Sequence, residues 1–361
     1  MELILLDSNF ENCSPPLSFS EAWYTRRYFG AGEFNCVMSA SAFRFAKNAE
    51  YVYFPRRGRL GVLRDIPSND TKKMTLAGES LEGILSDRVI TAVENKSGDA
   101  ETIIRGAVQK YAMTGGRAIA GLELGAPLGG LPSLDLQTTG GMVLSEWINS
   151  ILTPLGLSYR IDYDRAAERM YFGIFRGLDR TSGQSANTWA IFSPSFENIA
   201  VVNYSKTTRG YSNFVYVTAE DDTYGRVVVE CDFRPPGEKR REMSLASSTK
   251  SVDENGSQMT LAQFRSALQK EGEGAFASVS LRETMDITVN PDANIVYGVN
   301  YDLGDICEVS VPDLDAIWTM RLKEVDEVYR GGAEEIVPRF GDGVSYSPRE
   351  IFELLKKERR R

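Results

Sequence analysis

The sequence predicts an α+β protein that is mostly β, with two β-rich regions, a small α/β domain between them and a C-terminal helix. In the first ninety or so residues, and again from about residue 181, apolar side chains recur at every second position, as half-buried strands require. Between these regions the apolar side chains recur with helical spacing. The length of 361 residues, with 42% hydrophobic and 25% charged residues, is typical of a soluble globular protein of two or three domains.

The first β-rich region, residues 1–95, is predicted to be a small barrel or sandwich closed by a helix. Phe34, Cys36 and Met38 alternate with more polar or smaller neighbours, and residues 51–54, 60–66 and 73–77 give further short strands between Gly and Pro residues. Ser80 can cap a short helix that carries Leu81, Ile84 and Leu85 on one side.

Residues 96–180 are predicted to form a compact domain of two helices and two strands. Asp99 is a good N-cap for a helix that continues to about Tyr111 and stops at Gly115 and Gly116. A second amphipathic helix runs from Leu144 to about Leu155. Alternating residues at 157–163 and 170–174 predict a pair of strands after it.

The second β-rich region, residues 181–345, contains a predicted hairpin at 214–218 and 227–231 and a long strand at 279–289. Further strands are predicted at 306–311 and 317–328. In the second of these, the apolar residues change from even-numbered to odd-numbered positions between Leu322 and Val325, as a β-bulge would cause.

A polar segment interrupts this region. Residues 234–258 carry Pro235-Pro236, and a short helix presenting Leu261, Phe264 and Leu268 follows. We therefore expect a mobile insertion at residues 234–275.

Residues 346–361 are predicted to form a C-terminal helix. The segment Ser347-Pro348-Arg349-Glu350 is a capping box with Pro at the first helical position. Its basic end, Lys356 to Arg361, suits a helix C-terminus. This helix is interpreted either as a docked terminal helix or as an assembly latch.

The charge balance disfavours tight binding to nucleic acid. Lys and Arg total 41 against 50 Asp and Glu, which gives a formal net charge of −9, whereas attachment to phosphates needs a basic surface. No apolar run approaches the roughly 20 residues that cross a bilayer, and the N-terminus lacks the pattern of a secretory signal. We expect a protein that is made and kept in the cytoplasm until it assembles, with no integral membrane segment.

The sequence contains no histidine, which removes the commonest general base and metal ligand. The four cysteines, Cys13, Cys36, Cys231 and Cys307, lie far apart and form no C-x-x-C pair, so we expect free thiols that are buried or half-buried. No catalytic residue, no metal site and no cofactor is predicted.

The clusters of acidic residues are interpreted as residues that favour turns and not as metal sites. Glu220-Asp221-Asp222 lies on the predicted hairpin turn, and Asp253-Glu254-Asn255-Gly256 lacks the ligand spacing of a calcium loop. Gly115-Gly116 and Gly129-Gly130 are not followed by the Gly-Lys-Ser/Thr of a phosphate cradle. With 50 acidic residues in the sequence, a pair of facing carboxylates like that of a glycosidase stays open as an alternative.

Aromatic residues crowd together at Trp23, Tyr24, Tyr28 and Phe29, beside two arginines. Such interleaving can stack nucleic-acid bases. We favour a structural role, because aromatic side chains are what half-buried pleated surfaces select.

Seven segments stand out in collinear order: residues 23–34 (WYTRRYFGAGEF), 75–85 (TLAGESLEGIL), 177–181, 191–198, 301–306 (YDLGDI), 324–329 (EVDEVY) and 338–341 (PRFG). In these segments the sequence resembles the siphophage tail-hub family, the tail-associated proteins related to the baseplate hub of contractile phages. The similarity extends over nearly the whole chain. The positions that stand out in these motifs are Trp23, Arg26, Gly32, Phe34, Leu81, Tyr301, Gly304, Asp305 and Tyr329. The sequence departs from the family pattern at 121–132 and 234–258, so loop contacts are not carried over there.

The resemblance implies two tube-type β-barrel domains, with the small α/β domain between them. It also implies a homotrimer that presents six barrels in a pseudo-sixfold ring at the virion tail tip. The implied partners are a distal tail protein ring, the tape measure protein and receptor-binding or spike proteins, with DNA only in transit through the channel. Larger relatives carry a peptidase, lysozyme-like or receptor-binding extension for which this chain has no room, so we expect a structural protein and not an enzyme.

Two other classes of protein stay open as alternatives. A tail-tip cell-wall hydrolase would use paired carboxylates. A carbohydrate-binding module would use exposed aromatic side chains on a barrel face.

Overall fold

The computed structural model describes residues 1–67, 71–138, 140–207, 210–234, 236–252, 258–278, 282–290, 293–314 and 316–341. The predicted C-terminal helix at 346–361, its capping box and the segment 253–256 lie outside the described residues. The chain divides into two compact units, Met1–Asn203 with Met285–Arg361 (unit 1) and Tyr204–Thr284 (unit 2).

The protein is mostly β, as the sequence predicts. The strands are β1 Glu2–Leu6, β2 Leu17–Arg27, β3 Glu33–Ser39, β4 Tyr51–Phe54, β5 Arg59–Asp65, β6 Lys73–Ser80, β7 Glu94–Asp99, β8 Leu122–Leu124, β9 Ser133–Thr138, β10 Ser158–Asp164, β11 Arg169–Phe175, β12 Ile191–Phe192, β13 Ile199–Thr207, β14 Phe214–Asp221, β15 Gly225–Asp232, β16 Glu242–Ser247, β17 Arg282–Val289, β18 Ile306–Val311, β19 Ala316–Arg330 and β20 Ala333–Gly341. The α-helices are α1 Phe43–Ala46, α2 Ala100–Ala112, α3 Leu144–Leu152 and α4 Leu261–Ser278.

The first six strands of unit 1 form a closed barrel. They pair in the order β1-β4-β5-β6-β3-β2, and β2 pairs back onto β1. The predicted alternation holds, because Phe34, Cys36 and Met38 are all buried inside this barrel. Tyr24 and Phe54 pack against Phe34, with ring centroids 6.1 and 5.7 Å away. The short helix predicted after Ser80 is present as a 3-10 helix at Leu81–Asp87.

The two helices predicted after the barrel are confirmed. Asp99 caps α2 by accepting a 2.8 Å hydrogen bond from the N–H of Thr102. Strands β10 and β11 form the expected hairpin. The short strands β7, β8 and β9 were not predicted: β7 pairs with β9, and β8 joins β11 in parallel. Most of their residues are polar, so their pairing is not visible in the local pattern.

The remaining strands of unit 1 extend the same sheet through β2 and β19. Six of them follow the order β12-β18-β19-β20-β17-β13. The predicted bulge in β19 is confirmed by a register shift between Leu322 and Glu324. Strands β12 and β13 are linked by the side chain of Asn198, which accepts from the N–H of Ser193 at 2.9 Å and donates to the carbonyl of Ile191 at 2.8 Å. The division of unit 1 into two barrel domains and an α/β domain stays a prediction.

Unit 2 has its own small core. The predicted hairpin, β14 and β15, forms a three-stranded sheet with β16 in the order β15-β14-β16, and Phe264 and Leu268 of α4 are buried against it. No strand was predicted at β16, since its residues lie in a polar segment of the sequence. Asp221 stabilises the hairpin turn by accepting from the N–H groups of Thr223 and Tyr224. Its pKa is lowered to about 2, mainly by a hydrogen bond from the N–H of Ser251.

The prediction for the cysteines is confirmed. All four are free; Cys36, Cys231 and Cys307 are buried, and Cys13 is half-buried. Burial raises the pKa of each thiol. Such thiols are poor nucleophiles and behave as small apolar side chains.

Candidate functional site

The candidate site lies in unit 1, at the junction between the closed barrel and the second group of strands. There, residues 21–27 of β2 pair antiparallel with residues 324–330 of β19, and β20 pairs on β19 in turn. We call this junction, β2–β19–β20, the seam. Because β2 also belongs to the barrel, the seam makes the two groups of strands one continuous hydrogen-bonded sheet.

Charged side chains are buried at the centre of the seam. Asp326 is only 1% exposed and accepts a 2.5 Å hydrogen bond from the hydroxyl of Thr25, its cross-strand partner. The other carboxylate oxygen of Asp326 accepts from Nη2 of Arg339 on β20 at 2.7 Å. Burial raises the pKa of Asp326 to about 6, and the attraction of Arg339 offsets only part of this rise.

A second buried carboxylate, that of Glu327 on β19, is hydrogen-bonded to a barrel strand. It is fully buried and accepts from Nε and Nη2 of Arg59 on β5, at 3.0 and 2.8 Å. Tyr329 donates its hydroxyl to the same carboxylate at 3.1 Å. Removing Arg59 would leave the carboxylate of Glu327 buried without its compensating charge, which is strongly destabilising.

A third group of contacts fixes the loop before β18 against the barrel. Nη1 of Arg26 donates to the hydroxyl of Tyr297 at 2.6 Å and to Asp302 at 2.9 Å. Asp305 accepts from the N–H of Leu178 at 2.7 Å and from Nε of Arg180 at 2.8 Å. Together these hydrogen bonds connect the loop before β18 to β2 and to the segment that precedes β12.

Two glycines at the seam cannot be replaced without moving their neighbours. A Cβ atom on Gly32 would lie 1.9 Å from the carbonyl oxygen of Thr25. Gly304 has a φ of +90°, and its Cβ would lie 2.3 Å from the ring of Tyr28. Only glycine permits such close approach.

The structure therefore brings most of the sequence-predicted positions to the seam or its borders. Arg26, Gly32, Gly304, Asp305 and Tyr329 make the contacts above. Trp23 lies on β2 and pairs with Asn35 on one side and Val328 on the other. Phe34 and Leu81 are both buried. Tyr301 packs on Phe192 with ring centroids 5.0 Å apart. The structural and assembly roles of these positions stay a prediction.

Sequence reasoning missed the residues that carry the buried charges. Thr25, Asp326, Glu327 and Arg339 lie inside the segments that resemble the tail-hub family, but they received no role. The one available signal was the run of acidic residues at Glu324, Asp326 and Glu327 within a predicted strand.

A cavity of about 50 Å³ lies beside the seam. Arg26, Arg27 and Arg59 line it together with the carboxylates of Glu82 and Asp162. Its volume corresponds to a few water molecules.

Over the described ranges, no three Cys, Asp or Glu side chains come together as a metal site would require. Within the same part of the chain, no helix combines the length and the apolar character needed to cross a bilayer.

A family model described as Siphovirus ReqiPepy6 Gp37-like protein matches residues 57–342. No curated protein matches the sequence.

Solved structures with the same fold include three tail proteins. The tail protein of Neisseria meningitidis MC58 superposes with a TM-score of 0.58 at 14% identity, covering 94% of this chain and 95% of that one. The 43 kDa tail protein of prophage MuSo2 from Shewanella oneidensis gives 0.56 at 14% identity, over 94% and 98% of the two chains. A prophage tail protein from Listeria monocytogenes EGD-e gives 0.52 at 11% identity, over 99% of each chain.

Proposed function

Because the chain belongs to the siphovirus ReqiPepy6 Gp37-like family, we propose that it is a structural, non-enzymatic subunit of a phage tail tip, in a phage, a prophage or a tail-like particle. The shared fold of three tail proteins supports a role in the tail. The observation that carries the proposal is the continuous sheet across the seam, which joins a closed six-stranded barrel to a second group of six strands.

The proposed assembly is a homotrimeric ring. A subunit that presents two sheet-built cores side by side can form a threefold ring with pseudo-sixfold symmetry, which suits a junction between a sixfold tube and a threefold tip. Closed cyclic symmetry is the usual form of a homo-oligomer. The buried charges of the seam would hold the two cores at a constant relative position, as a ring of this kind requires.

The proposed partners are the distal tail protein ring on one side and receptor-binding or spike proteins on the other, with the tape measure protein and DNA passing through the channel. The net charge of −9 supports a channel that DNA does not adhere to. An image of the assembled ring with a basic lumen would contradict this point.

Electron microscopy and sedimentation test the assembly. Purified protein, alone and mixed with its distal tail protein, is expected to give threefold particles with six subdomains in projection and a trimeric mass. A protein that stays monomeric even with its neighbours present would overturn the ring, as would a particle of any other symmetry.

The cell-wall hydrolase alternative has a separate test. Turnover of purified peptidoglycan that is lost on substitution of a single acidic residue would establish an enzyme. Our proposal expects no turnover from the wild-type protein.

A further inference from the structure

A loop of unit 1 holds one tryptophan at the protein surface. Trp189 is 54% exposed, although its indole Nε1 donates a 2.9 Å hydrogen bond to the carbonyl of Gln184. The amide of Gln184 in turn donates to the carbonyls of Thr181 and Asn187, each at 3.0 Å. The loop is therefore cross-linked within itself, and the indole is oriented before any ligand arrives. Such preorganisation lowers the entropic cost of binding.

The backbone next to Trp189 is equally constrained. The N–H of Ala190 donates to the carbonyl of Arg180 at 2.8 Å, and the carbonyl of Ala190 accepts from the N–H of Glu308 on β18 at 3.1 Å. These bonds attach the loop to the sheet. Trp189 is therefore held exposed on a rigid support.

Trp189 lines a groove of about 420 Å³, which falls in the size range of small-molecule sites. The residues that line it are Thr188, Trp189, Ile191, Phe196, Asn198, Asn294, Ile295 and Asn300. None of these is charged, and half of them carry an amide or a hydroxyl group. Phe196 supplies a second aromatic surface, since it is 57% exposed.

The polar groups of the groove divide into structural and available ones. Asn198 uses both ends of its amide to link β12 and β13, as described above. Asn300 accepts from the N–H of Val296 at 2.7 Å through Oδ1, which leaves its amide N–H groups as donors. Asn294 and the hydroxyl of Thr188 add further donors and acceptors.

We propose that this groove binds a neutral glycan, with one sugar ring packed on Trp189 and its hydroxyl groups bonded to Asn294 and Asn300. A sugar ring has an apolar C–H face that matches an aromatic surface and a rim of hydroxyl groups that matches amides. The uncharged lining disfavours anionic ligands. A second copy of this chain is the competing occupant, and it would also cover Val299, which is 73% exposed and adjacent in sequence to Asn300 but does not line the groove.

The test is calorimetric titration of the full chain with chitotriose, maltotriose and mannotriose, supported by tryptophan fluorescence. At least one of these is expected to bind wild-type protein. Trp189→Ala is expected to weaken that binding about tenfold or more, equivalent to about 1.4 kcal/mol, whereas Trp189→Phe keeps a ring and retains part of it. Asn294→Ala is expected to weaken binding as well. Val299→Ala is the matched control, with unchanged sugar affinity.

Three results would overturn the proposal. One is the absence of binding by folded wild-type protein to all three sugars at about 10 mM, well above the weakest affinities of interest. Another is binding that Trp189→Ala leaves unchanged. The third is a combined result: the wild-type protein binds no sugar, and both Trp189→Ala and Val299→Ala lose oligomers that the wild-type protein forms in sedimentation. That result would assign the groove to a contact between copies of this chain. Because the sugar titration does not require an assembled ring, its failure and the failure of the ring proposal are distinguishable.

Discussion

Replacing Asp326 by Asn tests whether the seam contains an ionised carboxylate that the folded state disfavours. Asn has the shape of the protonated acid but does not titrate. Burial raises the pKa of Asp326 from the ordinary 3.8 to about 6, so the folded protein holds this proton more tightly than the unfolded chain does. The favourable contribution of the proton is present below about pH 4 and is lost as the pH rises through about 6.

The size of the effect follows from the difference between the two pKa values. A change from 3.8 to about 6 corresponds to about 3 kcal/mol in the free energy of unfolding. Wild-type protein is expected to lose most of that amount, about 2–2.5 kcal/mol, through Asp326 between pH 4 and pH 7. Relative to wild type, Asp326→Asn is therefore expected to become more stable by about 2–2.5 kcal/mol over the same interval.

The measurement is denaturant unfolding at a series of pH values, followed by tryptophan fluorescence. All four tryptophans, Trp23, Trp147, Trp189 and Trp318, lie in unit 1, so the signal reports the unit that contains the seam. Asp162→Asn is the matched control, because Asp162 is exposed and its ion pair with Arg160 contributes little. Parallel pH profiles for Asp326→Asn and wild type would refute the reasoning, since they would mean that Asp326 ionises as in water.

Two further substitutions test the packing. Gly304→Ala is expected to destabilise unit 1 by about 1–3 kcal/mol, because the new methyl group collides with Tyr28; Gly173→Ala, whose Cβ meets nothing within 4 Å, is the control, and equal unfolding midpoints would contradict the prediction. Glu101→Ala is expected to cost about 1–3 kcal/mol and to speed hydrogen exchange in the loop at 125–132, because the buried carboxylate accepts two N–H groups of that loop. The exposed Glu123→Ala should leave exchange there unchanged.

Much of the local structure could be predicted from the sequence. The alternation at Phe34, Cys36 and Met38, the N-cap at Asp99 and the parity change at Leu322 each depend on a few neighbouring residues, and each is present in the structure. The strands that were missed include β16, β7, β8 and β9, because polar or very short segments form strands only when a neighbouring strand supplies the hydrogen bonds.

The candidate site itself was beyond a single sequence. Thr25 and Asp326 are 301 positions apart in the chain and become cross-strand neighbours only through the pairing of β2 with β19. An aspartate in a strand is normally expected on the solvent face. Nothing in its local pattern shows that Arg339 from another strand compensates its burial.

The sequence by itself determined which faces of the strands and helices are apolar, where the helices begin, and that no histidine is available for chemistry. Only the tertiary structure decided which strands pair, that the first six close into a barrel, and that charges are buried where the barrel joins the second group of strands. The physical reason is that the burial of an apolar face depends on side chains close in sequence, whereas strand pairing and charge compensation depend on groups that meet only after the chain has folded.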